Sequence, residues 1–229
     1  MPKKPHFDRE LFRFLKDLER NNDRDWFQAN KARYERHVKE PLIGFVIDFG
    51  SHLQKISPHF LADPRPVGGS MFRIFRDTRF SSDKRPYKTN AGVQFRHEAG
   101  KDVHAPGFYL HLAPGEVFAA AGIWHPDSGT AAQIREAILE DPGRWRSIVT
   151  RKAFRERFEL SGDSLKRAPR GVPADHPQIE DLKRKDFIAV ADLSEAQACA
   201  PGFIAELARL WGKAGPFTGF LCQALGQPF

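Results

Sequence analysis

The hydrophobic period of the chain changes twice. Over residues 8–56 apolar residues return every three or four positions, which gathers them on one stripe of a helix. Three helices are predicted there. Asp8 caps the first, which buries Leu11, Phe14, Leu15 and Leu18 and stops at Asn21-Asn22. Asp23 caps the second, with Trp26, Phe27, Asn30, Tyr34 and Val38 along one side. Pro41 sits in the first turn of the third, whose stripe is Leu42, Phe45, Val46, Phe49 and Leu53. The prolines and glycines of SPHFLADPRPVGG end this part.

The period then falls to two. Val93, Phe95 and His97 alternate with Gln94 and Arg96, and Phe108, Leu110 and Leu112 alternate with Tyr109 and His111. APGE at 113–116 turns the chain, and VFAAAGIW returns as the partner strand of a hairpin. A strand over Met71–Arg76 and another at FIAVA, 187–191, bring the count to four to five mostly antiparallel strands. Helical spacing resumes after residue 126. Thr130 caps a helix through Ile134 and Ile138, Asp141-Pro142 opens one carrying Trp145, Ile148 and Val149, and Thr150 starts a short turn with Phe154 and Phe158. SGDSLKRAPRGVPAD reads as a loop, Asp175 and Pro177 start a short helix, and Ser194, Pro201 and Pro216 mark the starts of the last helices. Helices, then strands, then helices predict an α+β fold rather than alternating βαβ units. One domain spans 1–229, with amino-terminal helices in 1–60, antiparallel strands in 70–125, and helices plus the strand near 187–191 in 126–229.

Composition adds two points. Twenty Phe, four Trp and three Tyr predict a core built largely from rings. The two cysteines, Cys199 and Cys222, lack metal or disulfide spacing, and the start MPKKPHFDRE carries no apolar segment of a secretory signal. No apolar run approaches the length of a membrane span, so the expectation is a cytoplasmic protein with no membrane partner.

Charge changes the picture more. The formal net charge is +7, yet residues 72–90 alone carry +4 and residues 144–170 carry +6, which leaves the rest of the chain at −3. In FRIFRDTRFSSDKRPYKTN, Arg73, Arg76, Arg79, Lys84, Arg85 and Lys88 stand against Asp77 and Asp83, interleaved with Phe72, Phe75, Phe80 and Tyr87. Guanidinium forks, mobile ammonium groups and a phenol tip suit an oxyanion of phosphate or carboxylate type. The expected ligand set is Arg73, Arg76, Arg79, Lys84, Tyr87 and Lys88, together with Asn30, Lys31 and Tyr34, which are expected to face Arg76, Lys84 and Tyr87 across one groove. If the site is catalytic, Lys84 or Tyr87 supplies the proton, while Asp77 and Asp83 stay ionised and orient the arginines or hold a divalent cation. The same charges also fit an ion-pair lattice that only fixes a loop.

Other chemistry is thinner. His97, His104 and His111 are evenly spaced across the predicted hairpin, but no acidic or thiol ligand lies at zinc spacing, and no metal is expected. G-x-S-x-G, Walker and G-x-G-x-x-G motifs are absent, so no cofactor is named. The tract WRSIVTRKAFRERFELSGDSLKRAPRG sets basic residues around Trp145, Phe154 and Phe158, which are expected to be core. It supports an alternative, a nucleic-acid binder using both basic tracts, without any groove-reading motif. A third alternative is a structural or interaction module.

The run RIFRDTRFSSDKRPYKT, with FLKDLERNNDRDWFQANKARYERHV before it and GFYLHLAPGEVFAAAGIWHP after it, resembles a bacterial conserved hypothetical family known as domain of unknown function 2461. The likeness covers nearly the whole chain. It implies a single-domain α+β fold, and it draws attention to Asn21, Asn22, Arg24, Trp26, Asn30, Lys31 and Tyr34, and to the 73–88 run with Thr78. His125 lies between Trp124 and Pro126, where the family is expected to vary.

Overall fold

The computed structural model of the chain describes residues 5–79, 81–100 and 104–229. The MPKK start and Phe80, one of the rings of the basic stretch, lie outside them. Helix α1 (Arg9–Arg20) is capped by Asp8, whose carboxylate accepts from the Glu10 and Leu11 amides. Helices α2 (Arg24–Ala29), capped by Asp23, and α3 (Lys31–Tyr34) meet at Asn30, so the single predicted helix through Val38 is broken there. A π turn, Glu35–Lys39, leads straight into α4 (Glu40–Ile56). Pro41 lies in the first turn of α4 as expected, although the chain enters that helix from the π turn without a break. It has no N–H to give to His37, and the amide of Glu40 bonds Glu35 instead, five residues back.

The sheet has five strands in the order β1-β2-β3-β5-β4, all antiparallel: β1 (Ala91–Arg96), β2 (Gly107–Ala113), β3 (Glu116–Ile123), β4 (Glu159–Ser161) and β5 (Phe187–Leu193). The strand expected over Met71–Arg76 is not one of them. That segment makes only isolated bridges, Met71 to Val93 and Phe75 to Tyr87, along the free edge of β1. Its ladder is interrupted because Pro86 offers a carbonyl, taken by the Arg76 amide, but no N–H in return. The fifth strand is β4, of which the sequence reading placed Ser161 in a loop and assigned Glu159 and Leu160 to no element.

After the sheet's first three strands come α5 (Ser128–Glu140), α6 (Pro142–Val149) and α7 (Lys152–Arg155); α8 (Ile179–Leu182) precedes β5, and α9 (Glu195–Ala198) and α10 (Phe203–Ala224) follow it. Asp127, not Thr130, caps α5, accepting the amides of Gly129 and Thr130. Asp141 and Pro142 open α6 as expected, and Ser194 caps α9 in a capping box. Pro216 lies inside α10 rather than at a start. The residue one turn before it is Gly212, which has no side chain to crowd the ring.

One face of the sheet packs on helices. Val93, Phe95, Phe108, Leu110, Leu112, Ala119, Ile123 and Phe187 point into a core with the α4 and α10 stripes. Trp211 of α10 meets Phe49 and Phe95 edge-on at 5.1 and 5.7 Å. Period two puts every second residue on the opposite face, and among the described residues no helix contributes to the cleft on that face.

Candidate functional site

The open face of the sheet is the floor of a cleft of about 780 Å³, a size typical of small-molecule sites. Strand register lays its residues in rows. One row runs Gly92, His111, Phe118 and Asp192 from β1 to β5, and the next runs Gln94, Tyr109, Ala120 and Val190. With strands about 4.8 Å apart, each row spans about 14 Å. Small residues at Gly107, Ala120 and Gly122 keep the middle of the floor low.

The wall at the β1 edge is the basic stretch. Its anchor is a chain of backbone bonds, Phe72 N to Gly92 O, Lys88 N to Ile74 O and Gln94 N to Ser70 O. Tyr87 is buried and stacks on Phe27 at 4.1 Å, and the Asn22 amide clasps the Tyr87 backbone, accepting its N–H and donating to its carbonyl, each at 3.0 Å. Two Asp–Arg forks shape the loop. Asp77 holds Arg79 at 2.7 Å, and Asp83 holds both Arg85 at 2.7 Å and Arg76 at 2.5 Å. The Arg79 contact lowers the Asp77 pKa to about 2, and the Arg85 and Arg76 contacts push Asp83 well below the usual carboxylate range. Both are ionised near neutral pH and serve as orienting groups.

These contacts divide the sequence-predicted residues. Arg76, Asp77 and Lys88 line the cleft, beside Phe72 and Asn90. Arg73, Arg79 and Lys84 are exposed, and Lys84 donates to the Thr78 carbonyl at 3.0 Å. Tyr34 and Tyr87 do not face each other across a groove, because both are buried against Phe27. Burial pushes Tyr34 up to about 12 and raises Tyr87, so Tyr87 is a core ring rather than a proton donor. Asn30 turns inward on its own helix, donating to the Trp26 carbonyl and accepting from Arg33, and Lys31 is exposed. The expected groove between these helices and the basic stretch is instead a packed contact; the cleft lies on the other side of the stretch, over the sheet.

Lys88 is one of the cations outside the two forks, and it lines the cleft. It is half-buried, its Nζ lies 5.1 Å above the Phe72 ring, and no carboxylate among the described residues is within ion-pairing distance. Burial, and then the nearby Arg73 charge, pushes its pKa down. Lining the same cleft from β2 are two groups that the sequence reading used only as strand markers or as a zinc option. Tyr109 Oη and His111 Nδ1 are 3.0 Å apart, and His111 Nε2 is 3.8 Å from a Glu116 carboxylate oxygen. His111 stacks flat on Phe118 at 4.6 Å, and Tyr109 meets Phe72 edge-on at 5.8 Å. Burial pushes the His111 pKa down against the pull of Glu116, and burial together with Glu116 pushes Tyr109 well up. The available signal was weak: both residues are the polar members of an alternating strand, a pattern that any antiparallel sheet with one solvated face shows.

Gly92 fits this arrangement. A Cβ there would lie 2.8 Å from Tyr109 Oη and 2.9 Å from the Phe72 ring, so glycine is what lets wall and floor meet. At the far end Trp124, half-exposed, stacks on His125 at 4.1 Å. His125 has φ 47 and is held there by Asp186, whose buried carboxylate accepts from the His125 amide and ring and from the Asp163 amide.

The three histidines do not converge. His97 is buried and bonds the Pro228 carbonyl, His104 bonds the Trp124 carbonyl, and His111 bonds Tyr109. Among the described residues no group of three or more His, Cys, Asp or Glu is placed to hold a metal ion. In the second basic tract Trp145, Phe154 and Phe158 are buried, so they offer no stacking surface. No helix among the described residues is long and apolar enough to cross a membrane.

A family profile described as a conserved hypothetical protein, DUF2461, matches residues 10–220. No curated protein and no solved structure matches the chain.

Proposed function

We propose, for a chain that belongs to the conserved hypothetical family DUF2461, that the open-face cleft binds a small molecule through a phosphate- or carboxylate-type anion. One observation carries the reading: Lys88 is a half-buried cation with no carboxylate partner among the described residues, set in the wall of a cleft. Holding a charge partly out of water is costly, and an incoming anion supplies the missing counter-charge. Arg76 lies at the same wall and is aimed by Asp83, and Asn90 adds a neutral donor. Phe72, Phe118, Trp124 and Val190 give the body of the ligand apolar and aromatic contact. Asp192 and Glu116 at the opposite side favour hydroxyl or amino groups there, which argues for a small polar metabolite over a nucleic-acid backbone. The burial of Trp145, Phe154 and Phe158 removes the aromatic support that the nucleic-acid alternative needed. The free thiols of Cys199 and Cys222 fit a cytoplasmic protein.

The test is a melting-temperature screen of phosphorylated and carboxylated metabolites. A ligand at a hundred times its Kd adds about 2.7 kcal/mol, a rise of roughly 5–10 °C for a chain of this size. The same ligand should leave Lys88→Met unmoved while Arg79→Ala still responds, since Arg79 is on the outside of the loop. An equal rise in Lys88→Met would remove the basis of the reading.

A further inference from the structure

The Tyr109–His111 pair lies within the cleft but has no part in holding the fold's core. Its hydrogen-bond directions are constrained. Glu116, 3.8 Å from Nε2, favours the neutral tautomer that keeps its proton on Nε2, so Nδ1 is the acceptor for the Tyr109 hydroxyl 3.0 Å away. In that state the Tyr109 proton is committed to His111, and the phenol oxygen presents only lone pairs to the cleft. An anion at Lys88 would then meet an acceptor where it needs a donor. A proton on His111 reverses the bond. Nδ1–H donates to Tyr109 Oη, and the Tyr109 O–H is released toward the cleft.

We propose that the cleft takes up its anion together with one proton, which binds His111 and turns the Tyr109 hydroxyl from an acceptor into a donor to that anion. This rests on the anion-binding reading and adds the residue pair that completes the anion's shell. The balance is simple: one proton from solvent forms one N–H bond on the imidazole, no covalent bond of the ligand changes, and the imidazolium charge is shared between Glu116 and the anion. Two effects act in the same direction. The anion's charge stabilises the imidazolium, and the reversed hydrogen bond gives the anion a further donor. In the empty cleft burial holds His111 toward the neutral form, so the proton is taken up on binding rather than carried beforehand. The other titratable or charged groups set around His111 are the neutral phenol of Tyr109 on its own strand, Glu116 at the start of β3, Glu195 behind the turn through the Gly115 amide, Asp192 across Phe118 on β5, and Lys88, Arg73, Arg76 and Asp77 in the wall. Of these, Glu116 favours the imidazolium, as do the acids farther off, whereas Lys88 and the arginines oppose it until an anion neutralises them.

Sulfate and acetate are suitable probes, since neither titrates between about pH 6 and 8, where histidine does. Calorimetry of the full chain in buffers of different ionisation enthalpy counts the protons. The expected result is uptake approaching one proton per anion on the alkaline side, with affinity rising up to about tenfold per pH unit of acidification. His111→Asn should bind sulfate with no uptake and no pH slope, and Y109F should lose affinity most at the acidic end. Binding that depends on Lys88 but is flat with pH and takes up no proton in the wild type overturns this inference and leaves the anion reading intact. The wild-type count decides even if H111N does not fold. Absence of any Lys88-dependent binding of either probe would instead sink both.

Discussion

Asn22, rather than Asn30, joins the amino-terminal helices to the basic stretch. Its side-chain amide satisfies both backbone groups of Tyr87 at 3.0 Å, as another strand would. Replacing it with alanine leaves that half-buried pair without partners, and an unmet hydrogen-bonding group costs about 1–3 kcal/mol. Urea unfolding of Asn22→Ala should therefore show a loss in that range. Asn30→Ala, which forfeits bonds only to its own helical neighbours, should lose clearly less. The sequence marked both asparagines without ranking them, because Asn22 acts across a separation of 65 residues that no local pattern reports. His111 illustrates the same limit from the other side. Its alternation with Leu110 and Leu112 was plain, but its bond to Tyr109 depends on both side chains leaving the same face of one strand.

At the scale of elements, patterns of burial were legible and interruptions were not. The stripes of α1 and α4 lie in the core as read, and so do the inward residues of β1 and β2. Where the chain departs from regular structure the cause is a partner elsewhere. Met71–Arg76 alternates like a strand, yet it faces a segment whose Pro86 cannot complete a ladder, and it becomes the wall of the cleft instead. Strand β4 holds only three residues and shows its nature through pairing with β5. The wall's fit to the floor passes through Gly92. Gly92→Ala should push the Tyr109 and Phe72 side chains apart, with a cost of about 1–3 kcal/mol for overpacking and a loss of anion response larger than that cost explains. A variant that melts lower but keeps the full ligand-induced rise would show that the wall and the floor act separately.

For the whole molecule, the two edges of the pH range follow from different groups. Tyr34 and Cys222 are buried, and both pKa values are pushed up to about 12. A group whose folded pKa is raised contributes stability that is complete below its unfolded value and is lost as pH rises toward the folded one. Stability should begin to fall above about pH 9, where an exposed thiol ionises, and more steeply above about 10, where a phenol does. At the acid edge Asp77 and Asp83 are depressed, so their share persists above an ordinary aspartate pKa and is lost as pH falls toward about 2 for Asp77. Denaturant midpoints taken across pH would show a broad neutral plateau. A decline already present at pH 8 would contradict it. The α+β class and the family likeness were both readable from the chain, and the cleft was readable in part. The basic stretch named Arg76, Asp77 and Lys88, but the half built from Tyr109, His111 and Glu116 required knowing that the second face of the sheet is uncovered.

That uncovered face makes Lys88 the center of the functional account, and its amine can be observed directly. The most direct measurement is the NMR signal of the Lys88 side chain in the full-length protein, followed during titration with sulfate. The account predicts a pKa below that of an ordinary lysine in the free protein, moving upward as sulfate binds. A Lys88 pKa that stays fixed at saturating sulfate would contradict it.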